Sequence, residues 1–339
     1  MTRTRTESGF SLVELLIATG LLLVVSSIVT SALMQMTNSQ TTIWNRTEMH
    51  SGIRGATELL QQEVGQAGRI ATPVTITTTN AIAKVISPLV CDPGAPSSNA
   101  ADVQVNSTAG VYASAAPAAY ILLTTLDGDA QESVPVASVT NGTTLRACFS
   151  NNHAAGTVLS AMGSFATGII PPTGIVNGSD GYKLKMYGDI NSDGSMVYVE
   201  YTCDVPSGPN GAAATGNLYR NIMAFNAAVK PAVTNSQILL GNLTNNPPAV
   251  AGGANPACFT YQTSSVIVQG TAMTFVLDVA ITLTVETQQI DPITRQKQTE
   301  TKALLNVSPR NVFNAWMLAG MGYTDRIQSM PATITALLP

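Results

Sequence analysis

At 339 residues the chain is long enough for one large domain or two small ones. Only 11% of its residues are charged and the formal net charge is −4. That balance argues against a strong electrostatic grip on nucleic acid, which needs clustered Lys and Arg, and a patterned apolar content of 45% argues against disorder.

A polar leader, residues 1–8, carries Arg3 and Arg5 and runs into Gly9-Phe10-Ser11-Leu12-Val13-Glu14-Leu15. Between Leu15 and Asn45 the sequence holds no charge. About 20 apolar residues suffice to cross a bilayer as a helix, so a span over about residues 15–36 is predicted. Glu14 is the one charge inside the apolar block, where a carboxylate is costly enough to mark a functional site.

Past Asn45, Ile53, Ala56, Leu59, Leu60, Val64 and Ala67 recur at steps of three and four and mark one helical face. Arg46, Glu48, Arg54, Glu58 and Glu63 fall elsewhere and suit water. Gly65, Gly68 and Pro73 close the pattern. The prediction is one helix from residue 11 to about 68. Its first half is apolar all round, and its amphipathic second half needs a sheet of the same chain as a cover.

Strands follow. β-Branched and aromatic runs lie at 74–79, 120–126, 144–149, 182–187 and 196–203. Gly, Pro, Asn and Ser mark loops at 92–101, 151–156, 171–181, 204–216 and 244–256. The clearest strand is 274–287, where Phe275, Leu277, Val279, Ile281, Leu283 and Val285 alternate with mainly polar residues. Asp291-Pro292 supplies a turn, and 297–307 returns as the second arm of a long hairpin. In the tail, 312–339, a short helix capped by Asn311 would pack Phe313, Trp316, Met317, Leu318 and Met321 on the head or against a neighbouring subunit.

Cys91, Cys148, Cys203 and Cys258 form no C-x-x-C pair, so two disulfides are expected if the chain is exported. Of the three connectivities, proximity in sequence favours Cys91–Cys148 with Cys203–Cys258; four buried thiols are the alternative. Asp189, Asn191 and Asp193, followed by Gly194 and Glu200, fit a calcium-loop pattern. An extended chain after Gly194 would carry Glu200 roughly 20 Å away, onto a solvent-facing strand position. Two readings stay open: an Asx-rich turn without metal, and a Ca2+ site on Asp189, Asn191 and Asp193 with outside ligands. His50 on the helix and His153 in a loop read as surface residues, and no catalytic constellation is legible.

Gly9, Phe10, Glu14 and the apolar run beyond them resemble the class III signal of type IV prepilins and of the pseudopilins of type II secretion. An ordinary secretory signal would not place a carboxylate so far in, nor lack an A-x-A site after its apolar run. The resemblance implies that a prepilin peptidase cleaves between Gly9 and Phe10 and methylates the new Phe10 amine, and that the helix is retained. It also implies that Glu14 pairs with the N-terminal amine of a neighbouring subunit.

Further along, Gln62-Glu63-Val64-Gly65-Gln66-Ala67-Gly68, the 189–194 series, Val197-Tyr198-Val199-Glu200-Tyr201, Leu218-Tyr219-Arg220 and Ser308-Pro309-Arg310-Asn311 resemble PilW-like minor pilins and J-type pseudopilins. The fold implied is α+β: a leader (1–9), a long N-terminal helix (10–68), a β-rich antiparallel head (69–311) and a C-terminal tail (312–339). The function implied is that of a minor pilin in type IV pilus assembly and priming. It would sit in the bacterial inner membrane with a periplasmic head and then in the filament, with other minor and major pilins as partners. A J-like pseudopilin and a tip adhesin or DNA-binding pilin are the alternatives. No enzymatic activity, nucleic-acid partner or obligate cofactor is expected.

Overall fold

The long apolar-then-amphipathic run folds as a single helix, α1 (Leu12–Gln66). The structure is a computed structural model that describes residues 9, 11–84, 99–112, 122–208, 215–268 and 270–339. Phe10 and Cys91, both singled out by the sequence, lie outside the described residues. The chain divides into two compact units, Met1–Ser51 with Glu286–Glu300, and Gly52–Val285 with Thr301–Pro339.

In the first unit the apolar part of α1 is exposed all round: among the described residues nothing covers it. The helix is long and apolar enough to cross a membrane. Its hydroxyls fold back onto the helix. Thr19 donates to the Leu16 carbonyl, Ser27 to Val24, Thr30 to Ser26 and Thr37 to Leu33. Each of these polar groups is thereby satisfied without water, which a hydrocarbon surrounding demands.

The second unit is β-rich. In chain order its early strands are β1 (Ile76–Thr77), β2 (Ala101–Gln104), β3 (Leu122–Thr125), β4 (Ser133–Asn141), β5 (Thr144–Ala147) and β6 (Val158–Ser160). They form one antiparallel sheet in the order β1-β6-β3-β4-β5-β2 around a core that includes Ile76, Leu123, Val136, Leu145 and Phe149. After the short β7 (Ser164–Phe165) come β8 (Lys183–Gly188), β9 (Val197–Cys203), β10 (Gly216–Ala224), β11 (Ile238–Thr244), β12 (Phe259–Val268), β13 (Thr271–Glu286) and β14 (Thr299–Val307). These seven make a second sheet, ordered β12-β13-β11-β10-β9-β8, with β14 also paired to β13. The chain ends in α2 (Arg310–Gly320), β15 (Ile327–Gln328), which pairs parallel with β7, and α3 (Ala332–Leu337). The class is α+β, with the long N-terminal helix and antiparallel sheets the sequence predicts.

Of the expected apolar stripe, Ile53, Ala56, Leu60, Val64 and Ala67 are buried and Leu59 is half-buried. The stripe lies on the seven-stranded sheet, where the side chain of Glu63 meets Tyr201 and Arg220. The helix stops at a glycine junction. Gly68 takes φ +80, and a Cβ added to Gly168 would lie 2.2 Å from the Gly68 Cα. Backbone therefore rests directly on backbone, and Gly68 donates its N–H to the Tyr187 carbonyl at 2.9 Å.

Asn311 serves this same helix end, which corrects its predicted role. Pro309 stands at the N-cap of α2 instead, and the Asn311 amide donates to the carbonyls of Gln66 (3.1 Å) and Ala67 (3.4 Å). It thus satisfies carbonyls that the last turn of α1 leaves open. The tail packs inward through Val312, Ala315, Ala319, Ile334 and Leu337, while Met317 and Met321 stay exposed.

Candidate functional site

Of the N-terminal motif, the described residues are Gly9, which precedes α1, and Glu14, which lies in it. Gly9 is exposed, the Leu15 N–H donates to the Ser11 carbonyl, and Glu14 sits in the first turn on the exposed helix surface. A carboxylate in the first turn is favoured by the helix dipole. It is also open to a partner's cation, because among the described residues nothing covers it.

In the second unit, α1 is fixed by a buried ion pair. Glu63 was expected to face water; instead it is buried. Arg220 Nε donates to both of its oxygens, at 3.0 and 3.2 Å, a second guanidinium nitrogen contacts Oε1, and the Tyr201 hydroxyl donates to Oε2 at 2.5 Å. Burial and the adjacent carboxylate push the Tyr201 hydroxyl well above its ordinary range, so it stays a donor. The sequence signal was present but ambiguous: Glu63 lies one position before Val64, at the edge of the apolar stripe.

Glu200 departs from expectation for a related reason. Both faces of β9 are covered. Val199 and Tyr201 look toward α1, and Tyr198 packs with Ile334, Leu337 and Leu338 of the tail on the other side. Glu200 shares that second face and is buried, not solvent-facing. It accepts from Tyr198 (2.9 Å) and Lys230 (3.0 Å), with Lys185 Nζ 3.8 Å away. Lys185 itself donates to the carbonyls of Asn177 and Leu338. Burial pulls its amine below the ordinary lysine range, against the attraction of Glu200.

The Asp189 loop is a self-bonded turn. Asp189 is buried; its Oδ1 accepts the Asp193 N–H at 3.0 Å and its Oδ2 lies 3.5 Å from Arg69 Nε. Arg69 also donates to Ser192 Oγ at 2.7 Å, and Asp193 accepts the Ser195 N–H at 2.8 Å. Ser192 and Gly194 take left-handed φ values of 58 and 84. Asn191 and Asp193 are exposed, and among the described residues no group of three His, Cys, Asp or Glu side chains converges. These hydrogen bonds hold the loop through Arg69 and its own backbone. A polar cleft of about 910 Å³ adjoins it, lined by Gln62, Gln66, Asn191, Ser192, Asn306 and Arg310 among others.

Cys203 and Cys258 are disulfide-bonded, joining the end of β9 to the start of β12. Cys148 is also disulfide-bonded. Its expected partner, Cys91, lies outside the described residues.

His153, read from the sequence as a surface residue, is buried between two carboxylates. Its Nδ1 lies 2.5 Å from Asp127 Oδ2 and its Nε2 2.8 Å from Glu132 Oε1, with the Phe149 ring edge-on. Glu132 also accepts the backbone N–H groups of Ser150 and Asn151. Burial works to lower the His153 pKa, but the hydrogen bonds and charges of Asp127 and Glu132 outweigh it and raise it above the ordinary 6.5.

For Asp127 burial works upward, and the hydrogen bonds of His153 and Thr125 prevail to lower its pKa below the ordinary 3.8. Worked through, the imidazolium stabilises the six-stranded sheet fully below about pH 6.5, and that contribution is lost as pH rises through the folded value. The Asp127 contribution holds above its ordinary range and is lost as pH falls through its depressed value. The thermal midpoint is therefore expected to fall as pH rises from about 6.5 through the raised folded value, and His153→Gln to flatten that slope. Melting curves across that range check it; an unchanged slope in the variant would assign the titration elsewhere.

Protein-family models, curated proteins and solved structures were compared with the chain, and none of them matches it.

Proposed function

We propose that the protein is a minor pilin of the PilW-like kind, a structural and assembly subunit of a type IV pilus. The observation that carries this reading is α1 itself. One helix combines an exposed apolar half, long enough to span a bilayer, with a half that packs on an antiparallel sheet; Glu14 lies in its first turn, and the sequence Gly9-Phe10 precedes it. A secreted enzyme has no need of a helix that is both anchor and core. A subunit that leaves the bilayer for a filament needs both.

In this reading the basic leader stays cytoplasmic and the head lies across the membrane. Prepilin peptidase cleaves after Gly9 and methylates the Phe10 amine. The apolar half of α1 then moves from lipid into a bundle of like helices. There, Glu14 pairs with a neighbour's amine, which offsets the cost of burying both charges.

Mass spectrometry of the N-terminal peptide, from sheared filaments and from the inner-membrane fraction separately, tests this. N-methylated Phe10 in filaments is the expected result. Processed Phe10 confined to the membrane would favour a J-like pseudopilin of type II secretion. A retained Met1–Gly9 leader in both fractions would refute the proposal.

A further inference from the structure

We infer that the tip of the β13–β14 hairpin is a second membrane contact, seated in the lipid headgroup layer beside α1. The inference rests on the reading that α1 spans the bilayer, and it concerns the subunit before it joins a filament.

The turn is built on Asp291, which is buried. Its Oδ1 accepts the N–H groups of Ile293 (2.7 Å) and Thr294 (3.0 Å), and its carbonyl accepts that of Arg295 at 2.8 Å. The polar side of the turn faces the helix. Thr42 and Arg46 act on the Asp291 carboxylate, Gln298 bonds both Arg46 and Asp291, and Glu300 meets His50. Those contacts fix the tip beside the helix residues just past the apolar run.

The other side of the turn carries Ile290 and Ile293, which are 61% and 62% exposed. Turns in water are made of Gly, Pro, Asn, Asp and Ser, so two bare branched aliphatics at an apex call for a cover.

Height along the helix says what covers them. Thr42 lies six residues beyond Met36, the last apolar residue of the run, or roughly 9 Å at the helical rise. The hydrocarbon core is about 30 Å thick within a bilayer of about 40–45 Å, which leaves a polar layer of about 5–8 Å on each side. At about 9 Å, Thr42 stands at the outer edge of that layer, where side chains of the tip beside it meet the headgroups. Trp44, 74% exposed, stands at the same height, and Trp concentrates at membrane interfaces. Residues 37–42 are polar but uncharged, and Arg295, exposed at the tip, offers a cation to lipid phosphate. Shallow insertion with apolar side chains inward and a basic residue outward is the chemistry of an interfacial anchor.

The test places a bimane label on the full-length protein through Ile293→Cys; among the described residues no cysteine is free to compete. Parallel samples carry Leu23→Cys in the span or Val250→Cys on an exposed loop. Each is reconstituted in phosphatidylcholine–phosphatidylglycerol vesicles whose lipids are brominated at shallow or deep positions. The expected result is loss of fluorescence at position 293 with shallow bromines and less with deep ones. Position 23 is expected to be quenched most by deep bromines and position 250 by neither. If position 293 behaves like position 250 while position 23 is quenched, the tip contact is refuted and the membrane span stands. If position 23 is also unquenched, the spanning reading falls with it. If shielding of position 293 follows the protein-to-lipid ratio and ignores bromine depth, a second copy covers the tip and the inference is overturned.

Discussion

Replacing Glu63 with Ala is expected to destabilise the head by about 3–5 kcal/mol, the usual cost of removing one partner from a buried ion pair. The loss comes less from the attraction itself than from what is left behind. Arg220 would keep a half-buried guanidinium with no acceptor, and the Tyr201 hydroxyl would lose its partner inside the helix–sheet contact. The companion variant separates these causes. Converting both members to Met, Glu63→Met with Arg220→Met, removes the charges together and should recover most of the loss. Denaturant unfolding of the full chain in detergent micelles reads both. If the single and the double variant lose the same amount, the effect is one of packing and the ion pair has no special role.

The second large effect is expected at the Cys203–Cys258 bridge. The two residues are separated by 55 positions, and closing a loop of that size removes about 4 kcal/mol of unfolded-state entropy in the chain-entropy account. Cys203→Ser with Cys258→Ser should lower stability by an amount of that order. The same unfolding experiment measures it, repeated under reducing conditions. A double variant as stable as the oxidised parent would show that the bridge contributes nothing to the head.

What could be read from the residues beforehand follows physical lines. A strong period is legible: the apolar run, the stripe from Ile53 to Ala67 and the alternation of β13 each appear where expected, and so does the return arm of the hairpin. Strands without a clean alternation were not. β4 contains Pro135 and ends in Ser138, Val139, Thr140 and Asn141, and β12 is half Thr, Ser and Gln with few buried positions. Both are held in place by their neighbours, β4 by β3 and β5 and β12 by β13, which no local pattern records.

Buried polar residues were misplaced for the same reason. Glu63, Glu200 and His153 look like surface residues in isolation, and each is buried because its partners come from far along the chain. The candidate processing residues are the opposite case. Gly9, Phe10 and Glu14 are legible only as a local motif, and their expected role depends on a second protein.

The packing of α1 on its sheet has a consequence for biosynthesis. The stripe from Ile53 to Ala67 emerges from the ribosome early, yet its partners come much later. Arg220 is 157 residues downstream of Glu63, and Asn311 is 245 residues downstream of Gln66. At about 5–20 residues per second, the helix end waits roughly 12–50 s for its last cover. Until those partners arrive the apolar stripe is only partly covered by its own chain. Long-range pairing of this kind also folds slowly. On the proposed reading, in which the first half of the helix spans a bilayer, each nascent chain would be held at the membrane while its second half is still partly bare, and maturation would depend on keeping neighbouring chains apart until the last strands arrive.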